Sequence, residues 1–291
     1  MRKTALLLLT LLTATSAFAD HYADTYVIPV VGHTDGANGT QWMSDLVIRN
    51  FSATPMEVDL VLIESGSDLS DNIVPLVTDD IDGSVTVAAN STVMLRDILD
   101  GYEMENITGA LIVGSDRPFA VTSRAYSNRS PLGQTVPAAR DFFDNSIGTI
   151  DNSTAVYIPG IMSNAATRTN LGFVAGSAGS LSTPMTVEVT VRNATGGVAG
   201  TRSFFIPQGN FAHYQFNIRS FVPANVDVGT AEFRITQGEG TVVPYASLVD
   251  NTTGEAAYIM GQFPNSTPPT LSAARASLFR QLLELNRSNI R

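Results

Sequence analysis

Met56-Glu57-Val58-Asp59-Leu60-Val61-Leu62 alternates apolar with charged side chains over most of its length, and Thr186-Val187-Glu188-Val189-Thr190-Val191 repeats that rhythm much later in the chain. Successive side chains of a strand point to opposite faces, so a period of two describes strands with one buried face and one wet face. Ala231-Glu232-Phe233-Arg234-Ile235 reads the same way. Turn-forming stretches fall between such segments: Gly36 to Gly39, Ser65 to Ser67, Gly114 to Pro118 and Asn128 to Gly133, then Gly176 to Ser180, Gly196 to Gly200 and Gly238 to Gly240. About seven or eight short strands at this spacing, twice over, predict antiparallel sandwiches. Asp97-Ile98-Leu99 and Ile218-Arg219-Ser220-Phe221 read as single helical turns crossing between sheets.

The strands come in two copies. Tyr26-Val27-Ile28-Pro29 returns as Val156-Tyr157-Ile158-Pro159, Ser44-Asp45-Leu46-Val47-Ile48 as Thr169-Asn170-Leu171-Gly172-Phe173, and Ala53-Thr54-Pro55-Met56 as Ser182-Thr183-Pro184-Met185. The order is kept, and the offset of roughly 120–130 residues is one domain length. The expected fold is therefore all-β, with two tandem immunoglobulin-like antiparallel β-sandwiches, a cleaved signal peptide and a C-terminal amphipathic helix. The boundaries follow as 1–19 for the signal, 20–140 for the first sandwich, 141–154 for a linker, 155–263 for the second sandwich, and 264–291 for a Pro-rich spacer and helix. Arg2 and Lys3, the apolar run Ala5 to Leu12 and the small-x-small site Ala17-Phe18-Ala19 carry the signal reading, which places the mature start at Asp20. In the tail, Leu271, Ala274, Leu278, Leu282 and Leu285 recur at helical spacing. That stripe would dock on the second sandwich or join copies through Leu278, Leu282 and Leu285.

Composition removes whole classes of chemistry. The 291 residues contain no Cys, which excludes disulfides, thiolate metal sites and a cysteine nucleophile. The net charge of -10 opposes binding to a phosphate backbone, so no nucleic-acid partner is expected. Charge is also uneven: 19 acids face 6 arginines in residues 20–145, 7 face 5 in 146–270, and 1 faces 4 in 271–291. No segment after the signal is long and apolar enough to predict a membrane span. Of the three histidines, His21 lies at the expected ragged start, His33 in a Gly-rich loop and His213 within Phe211-Ala212-His213-Tyr214-Gln215-Phe216. None sits in a G-x-S-x-G elbow or an H-E-x-x-H helix, and no Gly-rich phosphate loop is present.

What remains as a site is acidic or aromatic. Asp68, Asp71, Asp79, Asp80 and Asp82 crowd one loop, and hard oxygen ligands at that density suit calcium. A solvated acidic loop is the competing reading, because Thr78 and Ala89 stand where an EF-hand needs Asp and Glu. No other cofactor is expected. Trp42, Tyr102, Tyr126 and Tyr245 offer rings for sugar stacking, although Trp42 beside Asp45 and Leu46 reads first as core filling. Arg124 reads as a strand residue pairing with a nearby acid, and the N-x-S/T sites, Asn50 and Asn251 among them, as chance products of composition.

Ile28-Pro29, Trp42, Asp45, Leu46 and Asn50, followed by Ser123-Arg124-Ala125-Tyr126 and by Tyr245-Ala246-Ser247-Leu248-Val249-Asp250-Asn251-Thr252-Thr253-Gly254, form a recurring set. In this the chain resembles uncharacterised exported bacterial proteins with tandem immunoglobulin-like β-sandwich repeats. The resemblance covers about residues 24 to 262 and implies a fold, with no catalytic residues to carry over. The second copy lacks the Trp and has Asn170 in place of the Asp. The expected function is non-catalytic: an exported protein, periplasmic or extracellular, acting in cell-envelope structure, adhesion or recognition through its sandwich surfaces. Its expected partner is a surface protein or a polysaccharide. The alternative is a carbohydrate-active enzyme or its carbohydrate-binding accessory, assisted by calcium.

Overall fold

A computed structural model of the chain describes residues 24–36, 39–66, 73–76, 78, 81–102, 106–128, 130–140, 149–150, 155–176, 184–207, 211–238 and 240–262. The expected signal, the expected C-terminal helix with Leu278, Leu282 and Leu285, and four of the five loop acids, Asp68, Asp71, Asp79 and Asp80, lie outside the described residues. The protein is all-β. Its first half contains β1 (Asp24–Asp35), β2 (Gln41–Asn50), β3 (Met56–Glu64), β4 (Ile73–Pro75), β5 (Ser84–Val87), β6 (Thr92–Leu95), β7 (Ile107–Ser115), β8 (Phe119–Ser127), β9 (Ser130–Pro137) and β10 (Ala139–Arg140). The second contains β11 (Thr149–Ile150), β12 (Ala155–Ser163), β13 (Thr167–Gly176), β14 (Met185–Asn193), β15 (Val198–Ile206), β16 (Phe211–Asn217), β17 (Val226–Gln237), β18 (Gly240–Asp250) and β19 (Ala256–Met260). β11 lies inside the expected linker and pairs with the start of β18.

Both halves use one strand order. In the first, β5, β3, β7 and β1 are neighbours in one sheet, and β6, β2, β8 and β9 in the other. In the second, β15, β14, β17 and β12 repeat the first sheet, and β16, β13, β18 and β19 the second. All of these pairings are antiparallel. The opening strands β1 and β12 lie beside β7 and β17, whereas the immunoglobulin order sets the first strand beside the second. A short pairing of Thr34 and Asp35 with Trp42 and Gln41 joins the two first-half sheets at one end.

The Ile-Pro motif has the same role in both copies. Proline has no N–H to give a ladder, so it belongs at an irregularity. The register of β1 shifts between Ile28 and Val31, and that of β12 between Pro159 and Ile161. The expected helical turns are turns: Asp100 N–H bonds the Asp97 carbonyl at 2.7 Å, and Ile218–Ser220 is one turn of 3-10 helix capped by Asn217.

Alternation built the cores. Met56, Val58, Leu60 and Leu62 of β3 join Ile28, Leu46, Ile48, Leu111 and Val113 in one core, while Val187, Val189 and Val191 join Phe173, Phe204, Ala231 and Phe233 in the other. A third buried cluster joins the two halves. Val27, Ile63 and Ala110, on the outer face of the β3–β7–β1 sheet, meet Val174, with Phe211 and Val243 packed around them. β13 and β18 therefore bury both faces, and the second half's Tyr245 belongs to the first half's core.

Candidate binding cleft

A polar chain crosses the junction. Thr108 donates to Ser65 Oγ at 3.0 Å, Ser65 is hydrogen-bonded to His213 Nδ1, and His213 Nε2 meets the Tyr245 hydroxyl at 2.8 Å. His213 and Tyr245 are wholly buried. Desolvation pushes the His213 pKa down to about 3, against a hydrogen bond to the Pro29 carbonyl that works the other way. The imidazole is thus neutral, with one nitrogen donating and the other accepting. Tyr245 lies between His213 and Tyr258, with ring centroids 6.1 and 5.6 Å away. No sugar can reach this ring from solvent, so the stacking role open to Tyr245 in the sequence is not available to it.

Beside this chain, the junction opens into a cleft of about 230 Å³ walled by both halves. Asp35 and Trp42 line it from β1 and β2, Gln134 from β9, Arg168 and Asn170 from β13, and Gln215 from β16. Trp42 is half-buried, and this corrects its reading as core filling. It shares strand parity with buried Ser44, Leu46 and Ile48 but stands at the first turn of β2, past the end of the core. Gly36 makes room for it, since a Cβ there would stand 2.7 Å from indole Cδ1 and Nε1. Arg168 is held by the Asn251 side chain at 2.9 Å, and Ser247 donates to buried Gln134 at 3.2 Å across the junction. Asp35 and Gln215 are exposed at the mouth.

A second polar cluster occupies the outer face of β2. Asp45 is fully buried and accepts from the Asp97 N–H at 3.1 Å and from Arg96 at 3.4 Å. Asp97 meets His33 Nδ1 at 3.0 Å, and the other His33 nitrogen meets Gln41 at 3.0 Å. Desolvation raises the Asp97 carboxyl pKa, with His33 opposing it. His33, Asp97 and Asp100 place ligand atoms within 4.8 Å of one another. Of the expected calcium loop only Asp82 is described, and it is exposed. Arg124 lies opposite Asp45 in register and over the Tyr126 ring at 4.9 Å; the acid's ion pair is with Arg96.

Sequence reasoning marked Trp42 but missed Arg168, Gln134 and Gln215, and took Asn170 only as a departure from a motif. The signal was present: Arg168 and Asn170 are alternate residues on the face of β13 opposite Leu171 and Phe173.

No family model and no curated protein matches the chain. Among solved structures it is similar to a glycosyl hydrolase family 2 member from Bacteroides cellulosilyticus, at 8% identity and a TM-score of 0.17, covering 76% of this chain and 26% of that one. It is also similar to a calcium-binding mutant of β-glucuronidase 2 from Bacteroides uniformis, at 6% identity and a TM-score of 0.18, covering 79% and 27%. The chain spans about a quarter of the length of either enzyme. Similarity at this level carries no functional argument.

Proposed function

We propose that the protein is an exported, non-catalytic recognition protein of the cell envelope, built from a duplicated antiparallel β-sandwich whose ligand seat is the cleft between the copies. The observation that carries this reading is Trp42, set at the core's edge and facing a cleft walled by both halves, with a few polar side chains in a largely apolar lining. Ligand sites favour such junctions, where a pocket is concave and a few polar groups converge. The histidines support binding over catalysis: His33 is engaged at both ring nitrogens, and His213 is buried and engaged at both. Export to the periplasm or beyond rests on the first 19 residues.

The test is co-sedimentation of the mature protein with whole cells, isolated envelopes and insoluble polysaccharides, each with calcium and with chelator. Selective pelleting that falls away in Trp42→Ala is expected. Chelator sensitivity would add the Asp68 to Asp82 loop to the site. Failure to pellet with any of the three, or release of reducing ends from a polysaccharide, overturns the reading.

A further inference from the structure

Resting on that reading, we infer that the cleft takes one or two rings of a neutral saccharide. Size is the first argument. At about 230 Å³ the cleft lies below the roughly 300–1,000 Å³ of sites for drug-sized ligands.

Chemistry is the second. Trp42 supplies a flat apolar wall with an N–H at its edge, suited to the C–H face of a sugar ring. Gln134, Asn170 and Gln215 supply side-chain amides, each able to donate and accept at once, as neighbouring hydroxyl groups require. Charge balance is the third argument. The lining pairs one acid, Asp35, with one base, Arg168, and the base is already tied to Asn251. No surplus charge calls for an anionic or cationic ligand, whereas a polyol satisfies both signs through its hydroxyls. The seat is also preorganised: Ser247 holds Gln134, Asn251 holds Arg168, and the β1–β2 turn holds Trp42.

Trp42 is the only tryptophan in the chain, so its emission reports on the cleft alone. The full-length mature protein would be titrated with glucose, galactose, N-acetylglucosamine and their β-linked disaccharides. Glycine, dialanine and inorganic phosphate form the second arm. The expected result is a saturable change in Trp42 emission and a rise in melting temperature with at least one sugar, and none with the second arm. Asn170→Ala and the exposed Gln215→Ala should each raise the half-saturating concentration by about tenfold, while melting unliganded within a few degrees of wild type. Saturation by a sugar that neither variant weakens overturns the assignment to this cleft. Saturation by a second-arm solute alone overturns the saccharide and leaves the cleft as the ligand seat. No response to either arm overturns the saccharide and the seat together.

Discussion

Asn50 is wholly buried at the end of β2, where its amide donates to the carbonyls of Thr54, Val87 and Ala88 at 2.9 to 3.1 Å and its oxygen accepts from the Ser52 N–H at 2.7 Å. One side chain thus closes the β2–β3 turn and ties it to the end of β5. Asn50→Ala leaves the buried Val87 carbonyl without this partner and opens the turn, and a loss of about 2 kcal/mol is expected in urea denaturation. The same burial closes Asn50 to glycosylation. His213 makes a pH-dependent contribution. The unfolded chain takes up this proton below about 6.5, whereas the folded protein resists it down to about 3, so the unfolded state binds more protons between the two. Stability from this residue is complete above the unfolded value and falls as pH drops toward about 3. The melting temperature of the wild type should decline across that window, and His213→Gln should flatten the decline. Glu232 acts lower on the scale. Burial raises its pKa, but hydrogen bonds from Arg192 and Arg234 outweigh this and hold the carboxyl below the usual glutamate range, so its contribution is lost only in stronger acid.

At the scale of the element, β13 shows how far alternation can be trusted. Leu171, Phe173 and Ala175 face the second core as the pattern says, but Gly172 and Val174 on the other face are buried too. Gly172 is required for a packing reason. The Tyr245 ring lies across it, and an added Cβ would collide with the hydroxyl and stand 2.6 Å from Cε1. Gly172→Ala should therefore destabilise by about 1–3 kcal/mol, as overpacking a full core does. In a double-mutant cycle with Tyr245→Leu the effect should be far from additive. Neighbouring strands hint at such double burial. Leu60-Val61-Leu62-Ile63 and Ala110-Leu111-Ile112-Val113 are apolar at every position, the pattern of a strand covered on both sides. The polar cluster of Asp45, Asp97, Arg96 and His33 carries no such pattern, because its members come together only when β2, the 97–102 turn and the end of β1 are in place.

At the scale of the molecule, the two halves are separate cores joined by a buried junction. Residues 20–145 and 146–270 made separately should each give a β-type circular dichroism spectrum and a cooperative melt. Each should also melt below the tandem, because Val27, Ile63, Val174 and Tyr245 would be exposed. Mixing the two should restore part of the loss, and halves that melt at the tandem's temperature would refute a stabilising junction. Exported material should begin at Asp20 by intact mass, and a retained Met1 would refute cleavage. Among the described residues, no helix is long and apolar enough to cross a membrane. Strand period, turn chemistry and internal duplication are properties of neighbouring residues, and so the sequence by itself determined the all-β class, the two copies and the inward face of the alternating strands β3, β14 and β17. Which outward faces would meet, and that a tryptophan in one copy would share a cleft with an arginine and an asparagine in the other, depended on how two finished sheets pack. Only the tertiary structure decided that, because contacts between residues more than a hundred positions apart leave no local period to read.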